Sequence, residues 1–244
     1  MSEHPGNSPL FGEQGFDPET IGADLEALHV QRPGPRQAAT QRVGSATRRV
    51  IDRLVGTSAP VDELEEIAEA MEALAERLEP HATGGRLYEG FAEAAIAGRP
   101  QSFFDWSPFL GTANPLAPPI VTRVQGDAVV GEVRFGAAYE GAPGCVHGGY
   151  LAAAFDEVLG LAQSFSGRSG MTGTLEIRYR KPTPLHADLR FEARLADVSG
   201  RKISVVGGCY HGDLLTAEAK GLFVTMQPQM MGRLLNEREH RPNA

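Results

Sequence analysis

The chain has 244 residues, 41% hydrophobic and 22% charged, which is enough length and apolar mass for one well-buried domain with an extension and too much apolar content for a disordered chain. Its net charge of -8 excludes a general nucleic-acid or anionic-membrane binder, since both need a basic surface. The acidity is local: residues 1–100 carry 9 basic and 17 acidic side chains, and residues 101–244 carry 14 of each.

Residues 1–36 are rich in Gly, Pro and polar residues, with a helical piece at Ile21–Val30, and read as a loose or partner-docked tail. Residues 37–100 read as a helical extension. Val43, Ala46, Val50, Ile51 and Leu54 recur at helical spacing between Gln37 and Leu54. After Ser58-Ala59-Pro60 and an acidic first turn, Leu64, Ile67, Ala68, Met71, Leu74, Ala75 and Leu78 form an amphipathic stripe opposite glutamates, a helix that Gly84-Gly85 is expected to end. A further short helix is expected over Leu87–Gly98, stopped by Arg99-Pro100.

Residues 101–119 form an aromatic, Pro-rich connector in which Phe103, Phe104, Trp106 and Phe109 are expected to staple the helical arm to the next domain or to roof an apolar pocket. From residue 120 to 227 the periodicity turns to two. Strands are predicted at Ile120–Gln125, Ala128–Phe135, Thr172–Lys181, Leu189–Val198, Lys202–Tyr210 and Leu214–Met226, with short turns that imply an antiparallel sheet. Between the second and third lies Gly148–Phe165, apolar on nearly every side and therefore a buried helix. The class is α+β: a long buried helix wrapped by about six antiparallel strands, followed by a tail at 228–244.

That helix holds two acids, Asp156 and Glu157, and follows Cys145-Val146-His147-Gly148-Gly149. A carboxylate in an apolar helix is costly unless it is paired, wet or used. Two glycines at a helix start let a ligand oxygen approach backbone N–H groups at the positive helix end, although Gly-Gly also serves as a tight turn. Glu157 is read as structural or interfacial. Cys145 and Cys209 are too few for a disulfide scaffold and lack metal-ligand spacing, and with no basic, apolar leader at 1–30 and no eighteen-residue apolar run the expectation is a cytoplasmic protein with free thiols and no metal.

The runs HGGYLAAAFDEVLG (147–160), TGTLEIRYRKPTPL (172–185) and GRKISV (200–205) resemble the hotdog-fold acyl-CoA thioesterases of the phenylacetate-pathway and thioesterase-superfamily type, over residues 115–226. The resemblance implies a hotdog fold with an N-terminal helical extension, dimers or dimers of dimers with active sites at the interface, an acyl-CoA substrate and no separate cofactor. It places the helix acid at Asp156, as base or nucleophile, and the thioester-polarising amides at Gly148 and Gly149. His147 shapes that loop or hydrogen-bonds near the carbonyl rather than serving as a base, and the hydroxyl residue at the start of the next strand, reached across the subunit interface, is Thr172. Thr174 is the fallback, because strict alternation puts it on the same side of its strand. Phe135–Glu140 offers no Asn or Gln where several relatives place a water-holding amide. Arg180, Lys181, Arg201 and Lys202 are candidates for the CoA phosphates in a stretch, 168–202, with 8 basic and 4 acidic side chains, although such residues are commonly just solvated. Two other readings are an enoyl-CoA hydratase or dehydratase of the same fold and a non-catalytic acyl-CoA-binding protein.

Overall fold

A computed structural model describes residues 33–82, 105–168 and 170–225. The helix expected at Ile21–Val30, the one at Leu87–Gly98, and Phe103 and Phe104 lie outside the described residues. Helix α1 spans Pro35–Val55, opened by Pro35 at its first position, where a missing N–H costs nothing. Helix α2 spans Val61–Leu78, with Asp62 and Glu63 in its first turn complementing the helix dipole. It stops earlier than Gly84-Gly85: Leu78 gives way to a 3₁₀ turn at Glu79–His81, because Pro80 cannot continue the α-helical ladder.

Six strands follow: β1 Val121–Gln125, β2 Ala128–Val133, β3 Gly170–Tyr179, β4 Leu189–Ser199, β5 Lys202–His211 and β6 Leu214–Thr225. They form one sheet in the order β1-β2-β4-β5-β6-β3, and every neighbouring pair is antiparallel. Gly200 and Gly212 sit at φ 57° in the hairpins between β4, β5 and β6, where a left-handed residue matches the strand twist. The strand β3 is an edge, exposed along most of its length.

Helix α3 runs Gly148–Ala162 and continues as a 3₁₀ turn over Gln163–Ser166. It buries Leu151, Ala154, Phe155, Val158, Leu159 and Ala162 in a core shared with Phe135, Phe191, Ile203, Val205 and Phe223. Phe155 meets Phe191 edge-on, with ring centroids 5.0 Å apart, a favoured aromatic geometry. The sheet thus wraps one apolar helix, as the sequence pattern implies. Among the described residues no helix is long and apolar enough to cross a membrane.

Among the described residues the arm is fastened by polar groups. Along α1, residues 37, 41, 44, 48 and 52 share one face, and that face is polar. Gln37 and Gln41 donate to the Asp105 carboxylate at 2.5 and 3.0 Å, Arg48 donates to the carbonyls of Asn114 and Thr112, and the Ala137 N–H donates to Asp52 at 2.7 Å. At Gly44 the helix touches backbone: a Cβ there would stand 2.4 Å from the Ala113 oxygen. Trp106 stays 41% exposed, while Phe109 packs against the core. The connector therefore grips α1 through Asp105 and its own carbonyls.

Candidate active site

His147 caps α3. Its Nδ1 accepts the Gly149 N–H at 3.0 Å, satisfying one of the amides that a helix start leaves unpaired. As an acceptor, Nδ1 carries no proton, so the imidazole N–H is on Nε2. The carbonyl of His147 takes the N–H groups of Tyr150 and Leu151, at 3.0 and 3.3 Å. This separates the two glycines. The Gly149 amide is engaged by the cap, whereas the Gly148 N–H has no partner among the described residues. Gly148 is also held from its other side, because Tyr179 donates its hydroxyl to the Gly148 carbonyl at 2.8 Å. A side chain at Gly148 would press on that ring, 3.2 Å from the tyrosine oxygen.

The loop before the cap is tied down from the arm. The Ala137–Tyr139 turn receives Asp52 at its first N–H, and the Tyr139 carbonyl accepts the His147 N–H at 2.9 Å. Tyr139, Tyr150 and Phe109 form an aromatic wall beside the cap, with Tyr139 and Tyr150 4.9 Å apart and Tyr150 and Phe109 6.3 Å apart. Burial, followed by the neighbouring Tyr150, pushes the Tyr139 phenol up to about 12, so it remains a donor to the Leu116 carbonyl. The sequence pattern singles out neither Asp52 nor Tyr179 for the site. The Asp52 contact joins residues 85 positions apart and has no local signature.

Asp156 is half-buried and accepts the Thr172 hydroxyl at 2.7 Å. Both belong to one chain, which corrects the expectation that Thr172 is reached across a subunit interface. Thr174 is corrected as well. The β3–β6 register shifts between Thr172, opposite Phe223, and Thr174, opposite Leu222. Successive β6 residues face opposite sides, so the bulge at Gly173 turns Thr174 away from the side that carries Thr172 and Asp156. Glu157, half-buried, accepts Ser107 from the connector at 3.3 Å.

Helix α3 runs antiparallel to β3. Its start meets Tyr179, and past its end Gln163 exchanges two 3.0 Å hydrogen bonds with Gly170. Asp156 lies eight residues beyond Gly148, roughly 12 Å along the helix axis. One chain therefore cannot bring its own free amide and its own acid to the same reacting carbon. The basic residues divide in the same way. Arg180 and Lys181 follow the end of β3, with Arg180 paired to Glu218 at 2.5 Å. Arg201 and Lys202 lie beside the strand's start, where Arg201 donates to the Thr225 carbonyl. The length of β3 puts the two pairs about 30 Å apart. Lys181 and Lys202 are exposed. Among the described residues no cluster of His, Cys, Asp and Glu forms a metal-binding group. Cys145 is half-buried and free. Cys209 is buried and free, its thiol pushed up to about 11 by burial.

Two family models match the chain. The Thioesterase superfamily model covers residues 143–218, and the model described as "Hypothetical protein RHA1_ro05818, N-terminal helical domain" covers residues 32–84. A solved structure, that of protein RHA08564, a thioesterase superfamily protein, is 36% identical with a TM-score of 0.68, covering 80% of this chain and 93% of that one. The acyl-coenzyme A thioesterases THEM4 of Bos taurus and Mus musculus are 34% and 35% identical over 92 residues, 37% of this chain, and the match spans only 38% and 40% of their lengths.

Proposed function

Because the chain belongs to the thioesterase superfamily, with its helix-in-sheet hotdog fold, we propose that it hydrolyses an acyl-CoA thioester to the free acid and CoA. The single observation that carries this reading is the half-buried Asp156 held by the Thr172 hydroxyl at 2.7 Å. A carboxylate fixed in this way is oriented toward a reacting atom, either a water it deprotonates or the thioester carbon it attacks. Thr172 fixes its direction and stands beside the attack path.

The complementary half of the site is the Gly148 N–H, unpaired among the described residues, at the positive end of α3, which would donate to the thioester oxygen as negative charge develops there. The roughly 12 Å between Gly148 and Asp156 in one chain supports a two-copy site: it is complete when a second copy pairs its β3 edge antiparallel with this one. A two-fold there lays the start of one β3 against the end of the other, so that Asp156 and Thr172 face the partner's Gly148. The same two-fold gathers Arg201 and Lys202 with the partner's Arg180 and Lys181 at each site, a suitable set of cations for the CoA phosphates. The thioester is the substrate, and the reaction needs no separate cofactor. A homodimer, or a pair of such dimers, is the working unit, and a cytoplasmic location fits its free thiols. The hydratase reading is weaker, since it wants an imidazole base and the basic nitrogen of His147 is already the helix cap.

The test is thiol release from short-, medium-, long-chain and aryl-acetyl CoA esters by wild type and Asp156→Asn. Release by the wild type that falls roughly a hundredfold or more in the variant is expected for a lost acid–base or nucleophilic group. Equal release by both proteins overturns the role of Asp156. Binding without release favours the acyl-CoA-binding protein, and loss of enoyl-CoA absorbance without thiol release favours the hydratase.

A further inference from the structure

The two arm helices each carry an apolar stripe that the described residues leave open. On α1 the stripe lies opposite the face gripped by the connector, and Val43, Val50 and Leu54 are 60%, 39% and 47% exposed. On α2 no residue is buried, and Met71, Leu74 and Leu78 are 40%, 55% and 63% exposed. The five residues from Gly56 to Pro60 connect the helices without laying one stripe on the other.

Their charges are opposite. Helix α1 contains five arginines and one aspartate, and Arg42, Arg49 and Arg53 line one edge of its stripe. Helix α2 contains seven acidic residues and one arginine, with Glu65 and Glu72 along the edge of its own stripe. Pairing α2 with α2 would set acidic edges together, and pairing α1 with α1 would set arginines together, both unfavourable. A foreign basic peptide would cover α2 and leave α1 bare. A second copy of this chain presents the match to both stripes at once.

We propose that the arms are exchanged between copies: the α2 stripe of one chain lies along the α1 stripe of another, and the reverse contact closes a two-fold pair. The apolar stripes supply the burial and the acidic and basic edges choose the partner, in the way charged edges select helices in coiled coils. This surface is separate from the β3 edge and does not depend on the hydrolytic reading.

Disulfide trapping in the full-length chain tests it. In a Cys145→Ser background, Val50→Cys and Met71→Cys are made in separate chains carrying tags of different size, mixed, and oxidised mildly. The expected product is a mixed dimer of the two variants, in roughly tenfold excess over either like pair, the ratio that about 1.4 kcal/mol of charge preference gives. Arg42→Glu with Arg49→Glu in the first chain should remove that excess, and Glu65→Arg with Glu72→Arg in the second should restore it. Circular dichroism of each variant checks that its helices persist. The proposal is overturned if like pairs dominate or if no bond forms between chains. It is equally overturned if Val50→Cys and Met71→Cys placed in one chain close within the monomer, because the stripes then meet inside a single copy.

Discussion

Helices α1 and α3 are held to the same sheet domain by opposite means. The fifteen residues of α3 bury six apolar side chains and stay in place because leaving would expose them to water. The twenty-one residues of α1 bury only Gly44 and stay in place through a few hydrogen bonds to Asp105, Thr112, Asn114 and Ala137. Burial is diffuse and strong, whereas a row of hydrogen bonds is specific and individually modest. The helix carrying Asp156 is thus locked, while the helix bracing the loop around the Gly148 amide can be lifted by a single change.

The largest effect should come from breaking the lock. Phe155→Ala removes a fully buried ring at the α3–β4 contact and should cost about 3–5 kcal/mol of unfolding free energy, read as a lower urea midpoint; a loss below 1 kcal/mol would mean that the helix is not fixed by burial. Thr172→Ala leaves the fold intact and removes the hydroxyl from Asp156. A hydrogen bond to a charged group is worth about 1.5–3 kcal/mol, so thiol release should fall roughly tenfold to a hundredfold, and unchanged release would detach Thr172 from the chemistry.

On the α1 side the effects are smaller and local. Gly44→Ala places a methyl 2.4 Å from the Ala113 oxygen. It should speed hydrogen exchange along α1 while leaving the urea midpoint of the sheet domain within about 0.5 kcal/mol of wild type. Asp52→Ala removes one brace from the Ala137 N–H, about 1 kcal/mol, and should lower thiol release by about fivefold with substrate affinity kept. A coupled loss of domain stability in either variant would show that arm and core form one cooperative unit. The smallest effect is a pH slope in the core. Cys209 is raised by burial from 9.0 to about 11, so between those values the folded chain keeps a proton that the unfolded chain releases. Stability is therefore unaffected by this group below pH 9 and falls as pH rises through about 11. Cys209→Ala should flatten that alkaline slope in urea titrations.

Much of this was readable from the chain. Alternation such as Leu189/Phe191/Ala193 against Arg190/Glu192/Arg194 marks a one-sided strand, and all six strands appear within a few residues of the predicted bounds. An all-round apolar helix opening directly after His147, with Gly148 and Gly149 in its first turn, marks α3. Other features were hidden because they are not local. The Asp105 clasp and the Asp52 brace join residues 64 to 85 positions apart. The distinction between Gly148 and Gly149 depends on which amide the His147 ring takes. The in-chain meeting of Thr172 and Asp156 depends on how α3 runs against β3, which periodicity does not report.

The bulge at Gly173 acts as a change of parity. A strand keeps one side chain in two on each face, and one extra residue inverts that count for everything beyond it. After the bulge the odd-numbered Leu175 and Ile177 pack against the core and Tyr179 reaches Gly148; before it the even-numbered Thr172 reaches Asp156. The Thr172 hydroxyl and the core packing thus follow opposite numbering parities on one face, and the inserted glycine is what brings them into phase. Deleting Gly173 would therefore restore a regular register in which Thr172 still lies opposite Phe223 on the inner face, two positions from Leu175.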